Sequence, residues 1–267
     1  MLIIYNIIIM GTIRRNGLSF LEMTSENKNE YFIIAKELIE NLFFDMSKLS
    51  TNYCNDFFCE FPYIFSERTL SSILLPALSK LCNSLVFAEM PTVRCCSNKR
   101  FKVDETTGRI DYWCIYKGYS FVIEVKHSFD CFTTNKTREG KVTRRWIKMN
   151  EQLESIKEDI KTYEEKTKGI IRIGLHFVTS YSDKPSNKEL IAQFTQSIPN
   201  TFTRLLKDMS KRYPSLRPDM IICWKIPPRI VLDYDIQTFP GLWLMAKIYN
   251  PINHFGKIES LKFLVLY

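Results

Sequence analysis

Apolar side chains recur at three- and four-residue spacing over 27–44, where Phe32, Ala35, Ile39, Leu42 and Phe43 share one face and predict an amphipathic helix. A second stripe, Leu70, Ile73, Leu74, Ala77, Leu78 and Leu81, follows Ser66, whose short hydroxyl side chain suits a helix N-cap. Pro76 falls inside that stripe and predicts a kink, because the apolar positions continue beyond it. Trp146, Met149, Leu153, Ile156, Ile160 and Tyr163 predict a third helix over about 143–166. The intervening 47–61, with Asn52, Asn55 and two cysteines, reads as a connecting loop.

The period shifts toward that of strands at 84–91, 108–116, 119–127 and 170–179, where β-branched and aromatic residues crowd together. Pro91 marks the end of the first strand or an edge position. Beyond 183 the pattern predicts two helices, 187–198 and 200–213, split at Pro199, then strands at 220–225, 241–248 and 261–266. The order helix, strand, hairpin of two strands, helix, strand describes an α/β domain with a mixed central sheet. The segments read as 1–26, an N-terminal leader or disordered segment; 27–183, the core; and 184–267, a C-terminal α/β elaboration of the same domain that extends the sheet or builds a dimer surface. No internal repeat or glycine-rich phosphate loop interrupts this.

The two strands around Lys117-Gly118 carry the chemistry. Glycine supplies the positive φ that a two-residue hairpin loop needs. With that loop Tyr116 pairs with Tyr119, and continuing the register sets Asp111 opposite Glu124 and Arg109 opposite Lys126. Alternation along each strand then puts two carboxylates and an ammonium on one patch. Like charges directly opposite are unfavourable at cross-strand spacing, so a cation should lie between the acids. Lys126 or Arg109 could serve, and so could Mg²⁺, which favours oxygen donors. The apolar neighbours Ile110, Phe121, Val122, Ile123 and Val125 mark a strand covered on both faces, where unpaired charge is costly.

Gly-Arg-Ile-Asp at 108–111, a turn, and Glu124-Val125-Lys126 closing an apolar strand resemble the PD-(D/E)XK nuclease superfamily. The resemblance implies a restriction-endonuclease-like αβββαβ core and Mg²⁺- or Mn²⁺-dependent hydrolysis of phosphodiester bonds, DNA being the substrate of most of the family. It implies that Asp111, Glu124 and the backbone carbonyl of Val125 hold the metal, and that Lys126 orients the attacking water or stabilises the phosphate. An acid from the first core helix often joins such sites, which would give Glu67 a role. An acid at a helix N-terminus is equally explained by the helix dipole. In some branches a Gln from the helix after the Glu-x-Lys strand, with a Tyr four residues later, orients the site; Gln152 is present, but Ile156 departs from that pattern. Glu89 reads as an exposed strand carboxylate, with a supporting place behind the metal ligands as the sharper alternative. Many enzymes of this fold pair up, so the resemblance also implies a homodimer.

Charge agrees with a polyanionic partner without demanding one: Lys plus Arg exceed Asp plus Glu by 37 − 29 = 8. Six of those cations, Lys136, Arg138, Lys141, Arg144, Arg145 and Lys148, fall within 136–148 against one acid. Together with Arg109 they are the expected phosphate grip. The eight cysteines form no C-x-x-C pair and only three histidines exist, which argues against zinc. Cysteines within apolar patterns suit reduced thiols in a cytoplasmic protein. His127 points away from Lys126, and His176 reads as a core histidine. The apolar first ten residues lack a preceding basic residue and are about half the ~20 that a spanning helix needs. They read as translated leader ahead of Met10 or Met23, or as an edge strand. The competing class is a nucleic-acid-binding or scaffold module of the same fold, with Lys126 neutralising Asp111 and Glu124.

Overall fold

The computed structural model describes residues 9–10, 18–19, 22–23, 29–55, 61–97, 103–133, 139–156, 167–211, 214–231 and 236–249. Two-residue strands β1 (Ile9–Met10), β2 (Leu18–Ser19) and β3 (Glu22–Met23) precede helices α1 (Glu30–Tyr53) and α2 (Glu67–Leu81). There follow β4 (Val86–Ser97), β5 (Val103–Tyr116), β6 (Tyr119–Cys131), α3 (Glu139–Glu154), β7 (Ile170–Ser182), α4 (Lys188–Lys211), β8 (Met220–Lys225), α5 (Pro228–Val231) and β9 (Thr238–Ile248).

Among the described residues, seven strands form one mixed sheet in the order β2-β8-β9-β7-β6-β5-β4, in which only β6 and β7 run parallel. Successive side chains of a strand take opposite faces, and the packing follows that rule. Phe177, Ile222 and Leu244 join α1 and α2 on one face. Their neighbours Val178, Ile221 and Met245 join α3 and α4 on the other. Helices on both faces explain why β6 and β7 are buried almost from end to end.

Two helices depart from the sequence expectations. Helix α1 runs to Tyr53, so its last two turns replace the first part, 47–53, of the loop expected at 47–61, of which 56–60 lie outside the described residues; Met46 and Ser50, then Cys54 at the C-cap, continue its buried stripe. Strand β4 runs on through Pro91 to Ser97, and among the described strands it takes the edge position that was one of the two readings of this proline. Helix α4 is continuous through Pro199. Within 1–26, Leu18 and Ser19 pair with Trp224 and Cys223 at the edge of the described sheet. The expected helix beyond Ile156 and the strand at 261–266 lie outside the described residues, as do Lys136 and Arg138. Among the described residues no helix is long and apolar enough to cross a membrane.

Candidate active site

The Lys117-Gly118 turn forms as expected, with φ of 49° and 81° at its two residues, and fixes Tyr116 opposite Tyr119. The register holds through Tyr112 and Ile123 and then stops. Beyond that point β5 leaves β6 and stays with β4, so Arg109 pairs with Pro91 instead of lying across from Lys126. Asp111 and Glu124 are the first pair past the fork, not a ladder pair.

The fork makes the site. Strand β6 continues alone on that side, and N–H groups that would have met β5 need other acceptors. Asp111 Oδ2 accepts from Val125 N at 2.6 Å. Glu67 Oε2, from the first turn of α2, accepts from His127 N at 3.3 Å. Both carboxylates therefore stand in the place of the missing strand. Lys126 bends back to them: its Nζ donates to Val125 O at 2.7 Å and lies 3.6 Å from Glu67 and 3.8 Å from Asp111. Glu67 also meets Arg145 of α3 at 3.6 Å. Its position is set by Ser66, which caps α2 by accepting from Thr69 N, while Thr69 Oγ1 accepts from Ser66 N.

Glu124 is fully buried. Oε1 accepts from Arg94 of β4, and Oε2 has no hydrogen-bond partner among the described residues. Burial, then the nearby charge of Asp111, push the Glu124 carboxyl up to about 7, against the opposing pull of Arg94 and Lys126. The ion pair with Arg94 thus lessens the cost of burying this acid without removing it. Arg94 is the residue that sequence reading missed. Its guanidinium also donates to the carbonyls of Gln152 and Arg109, closing the ribbon of β4 and β5 onto the C-terminal end of α3. It crosses directly over Gly108, where a Cβ would lie 2.5 Å from Arg94 Nε.

The other candidates sort clearly. Gln152 reaches Arg94 through its backbone carbonyl, while its side-chain oxygen is buried without a partner among the described residues. Glu89 and Arg109 form an exposed pair at 3.5 Å, away from the buried carboxylate; Glu89 has φ of 55° where the ladder of β4 and β5 skips a pair. Lys141, Arg144 and Arg145 are exposed on the first turns of α3. His127 bonds Thr179 Oγ1 at 2.9 Å, and burial lowers its pKa to about 4, so it is neutral near pH 7. His176 bonds Ser128 at 2.8 Å, stacks on Trp146, and is also held below its usual range by burial. Cys54, Cys82, Cys114, Cys131 and Cys223 are free thiols.

Among the described residues no three His, Cys, Asp or Glu side chains converge as a preformed metal cage. Magnesium does not require one, since it keeps several waters and takes one or two carboxylates from the protein. Asp111, the orphaned Oε2 of Glu124 and the Val125 carbonyl supply such a hard-oxygen set, with Lys126 and Arg94 presently holding part of it. In kind, these are the oxygen donors that a divalent ion such as Mg²⁺ takes.

No protein-family model matches the chain, and no curated protein does. Among solved structures, the crystal structure of SSO0001 is similar over 54% of this chain and 71% of that one, at 18% identity and a TM-score of 0.22. That likeness is too low to carry an argument.

Proposed function

We propose that this chain is a metal-dependent phosphodiesterase acting on nucleic acid, a DNA nuclease of the PD-(D/E)XK type with a restriction-endonuclease-like core. The supporting observation is the fork between β5 and β6, where Asp111, Glu124, the Val125 carbonyl and Lys126 meet beside the exposed cations of α3. Asp111, Glu124 and Val125 O would hold Mg²⁺ or Mn²⁺, which when bound polarises a phosphate and lowers the pKa of its water. Lys126, 3.8 Å from Asp111, would orient that water and offset charge developing on the phosphate. Glu67 keeps Lys126 and Arg145 in place from the N-terminus of α2. Lys141, Arg144 and Arg145 bind flanking phosphates, a sequence-independent contribution that weakens with salt. A cytoplasmic setting and a homodimer belong to the same reading.

The test is incubation of purified protein with plasmid and single-stranded DNA in Mg²⁺ or Mn²⁺. Cleavage should need the metal and fall at least about a hundredfold in both Asp111→Asn and Lys126→Met, the scale seen when one electrostatic contact to a transition state is removed. Activity that survives in both variants would end the assignment.

A second reading has its own observation. Arg94 on Glu124, and Lys126 between Asp111 and Glu67, already compensate much of the buried charge. In a non-catalytic nucleic-acid-binding or scaffold module of the same fold, that internal network would be the end point. Lys126→Ala would then destabilise the chain strongly while metal changed nothing.

A further inference from the structure

Next to the carboxylates lies a cleft of about 790 Å³, bounded by the N-terminal end of α2, the last residues of β6 and β7, the first turns of α3 and the start of β9. Its wall includes Glu67 and Arg145, so it opens directly onto the group that positions Lys126. Phe65, Phe129, Ser128 and Lys141 complete the part of the lining that matters here.

Two features select an occupant. Phe65 is a large apolar residue left 52% exposed at the cleft mouth. Lys141 and Arg145 stand in the same cleft, both exposed. An aromatic face beside cations matches a nucleotide, which carries a flat π system and a phosphate on one unit. The volume lies within the roughly 300–1,000 Å³ typical of small-molecule pockets. A base inside a duplex has both faces covered by its neighbours, so only an unpaired base can stack on Phe65.

We infer that this cleft binds an unpaired nucleotide of the substrate strand, its base against Phe65 and its phosphate toward Lys141 and Arg145. This rests on the nucleic-acid reading above and narrows it. The preferred substrate carries a single-stranded segment, as an overhang, flap or gap, next to the phosphate that meets Asp111 and Glu124.

Binding in EDTA tests the cleft without cleavage. Fluorescence anisotropy would compare a labelled blunt duplex with the same duplex bearing a thymidine overhang at either the 5′ or the 3′ end. The wild-type protein should bind one overhang form roughly 5- to 150-fold more tightly than the blunt one, the range of one aromatic stacking contact. Phe65→Leu keeps apolar bulk ahead of the Ser66 cap but removes the π face, and should erase that preference while leaving blunt-duplex affinity and the melting temperature unchanged. Phe65→Trp should retain it. Equal wild-type affinity for all three duplexes, or a preference undiminished in Phe65→Leu, would overturn the inference whether or not plasmid is cut. A preference that depends on Phe65 in a protein that cuts nothing would leave the cleft assignment standing and remove only the catalytic one.

Discussion

At the scale of single residues, the buried Glu124 governs most of what can be measured. Arg94→Met would leave its charge uncompensated and should destabilise the protein by about 3–5 kcal/mol in chemical denaturation. Adding Glu124→Gln should recover much of that loss, because a neutral amide replaces a buried anion; a double variant no better than the single would show that Arg94 acts through its carbonyl contacts alone. The pH dependence has opposed signs. Glu124, raised from 4.5 to about 7, contributes stability that is fully present below about pH 4.5 and is lost as pH rises through about 7. His127, lowered from 6.5 to about 4, is destabilising when the pH falls through that window. Wild-type melting temperatures should therefore rise from pH 4 to 6.5 less steeply than those of Glu124→Gln; parallel profiles would contradict the raised pKa. Alternation along two strands made Asp111, Glu124 and Lys126 legible in the sequence. Arg94 was not, because its approach to Glu124 depends on β4 continuing past Pro91 and on a skipped pair at Glu89, neither of which follows from local pattern.

At the scale of elements, periodicity read β6 to β9 and α2 well, stopped β4 and β5 short of the ribbon they form over 92–97 and 103–107, and failed in helices where a local breaker competed with burial. Pro199 should cost a helix about 3 kcal/mol. Yet Phe194, Ile198, Phe202, Leu205 and Met209 keep one unbroken buried stripe across it. With roughly 1.5–3 kcal/mol for each large apolar side chain buried, packing outweighs the proline. The same reasoning extends α1, whose Ser50 and Cys54 are buried and therefore count toward the stripe despite their polarity scale values. Ser66 was recognisable as a cap, but its consequence for Glu67 needed the fold. Ser66→Ala should cost about 1 kcal/mol of stability. Because Glu67 begins the helix that Ser66 caps, the same change should also reduce cleavage more than this small loss of folding explains. A variant with the stability loss and full activity would show that Glu67 does not depend on its cap.

At the scale of the whole molecule, the element order was legible but the sheet order was not. Nothing in local pattern places β9 between β7 and β8, since that pairing joins segments separated by α4. The net charge of +8 gains meaning only once Lys141, Arg144 and Arg145 are seen exposed on the helix beside the carboxylates. Each phosphate contact they make should add about 0.9 to the slope of log affinity against log salt on duplex DNA, so replacing one of them with alanine should lower that slope by about one. Unchanged slopes in all three variants would place the nucleic acid on another surface.

The proposed chemistry requires the fork between β5 and β6 to be a divalent-ion site, not a finished ion network. Calorimetric titration of the purified protein with Mn²⁺ at pH 8, above the raised Glu124 pKa, measures this directly. The expected result is a saturable site in the wild type that vanishes in Asp111→Asn while that variant stays folded. A wild-type protein that takes up no Mn²⁺, or an Asp111→Asn protein that binds it equally well, would contradict the account.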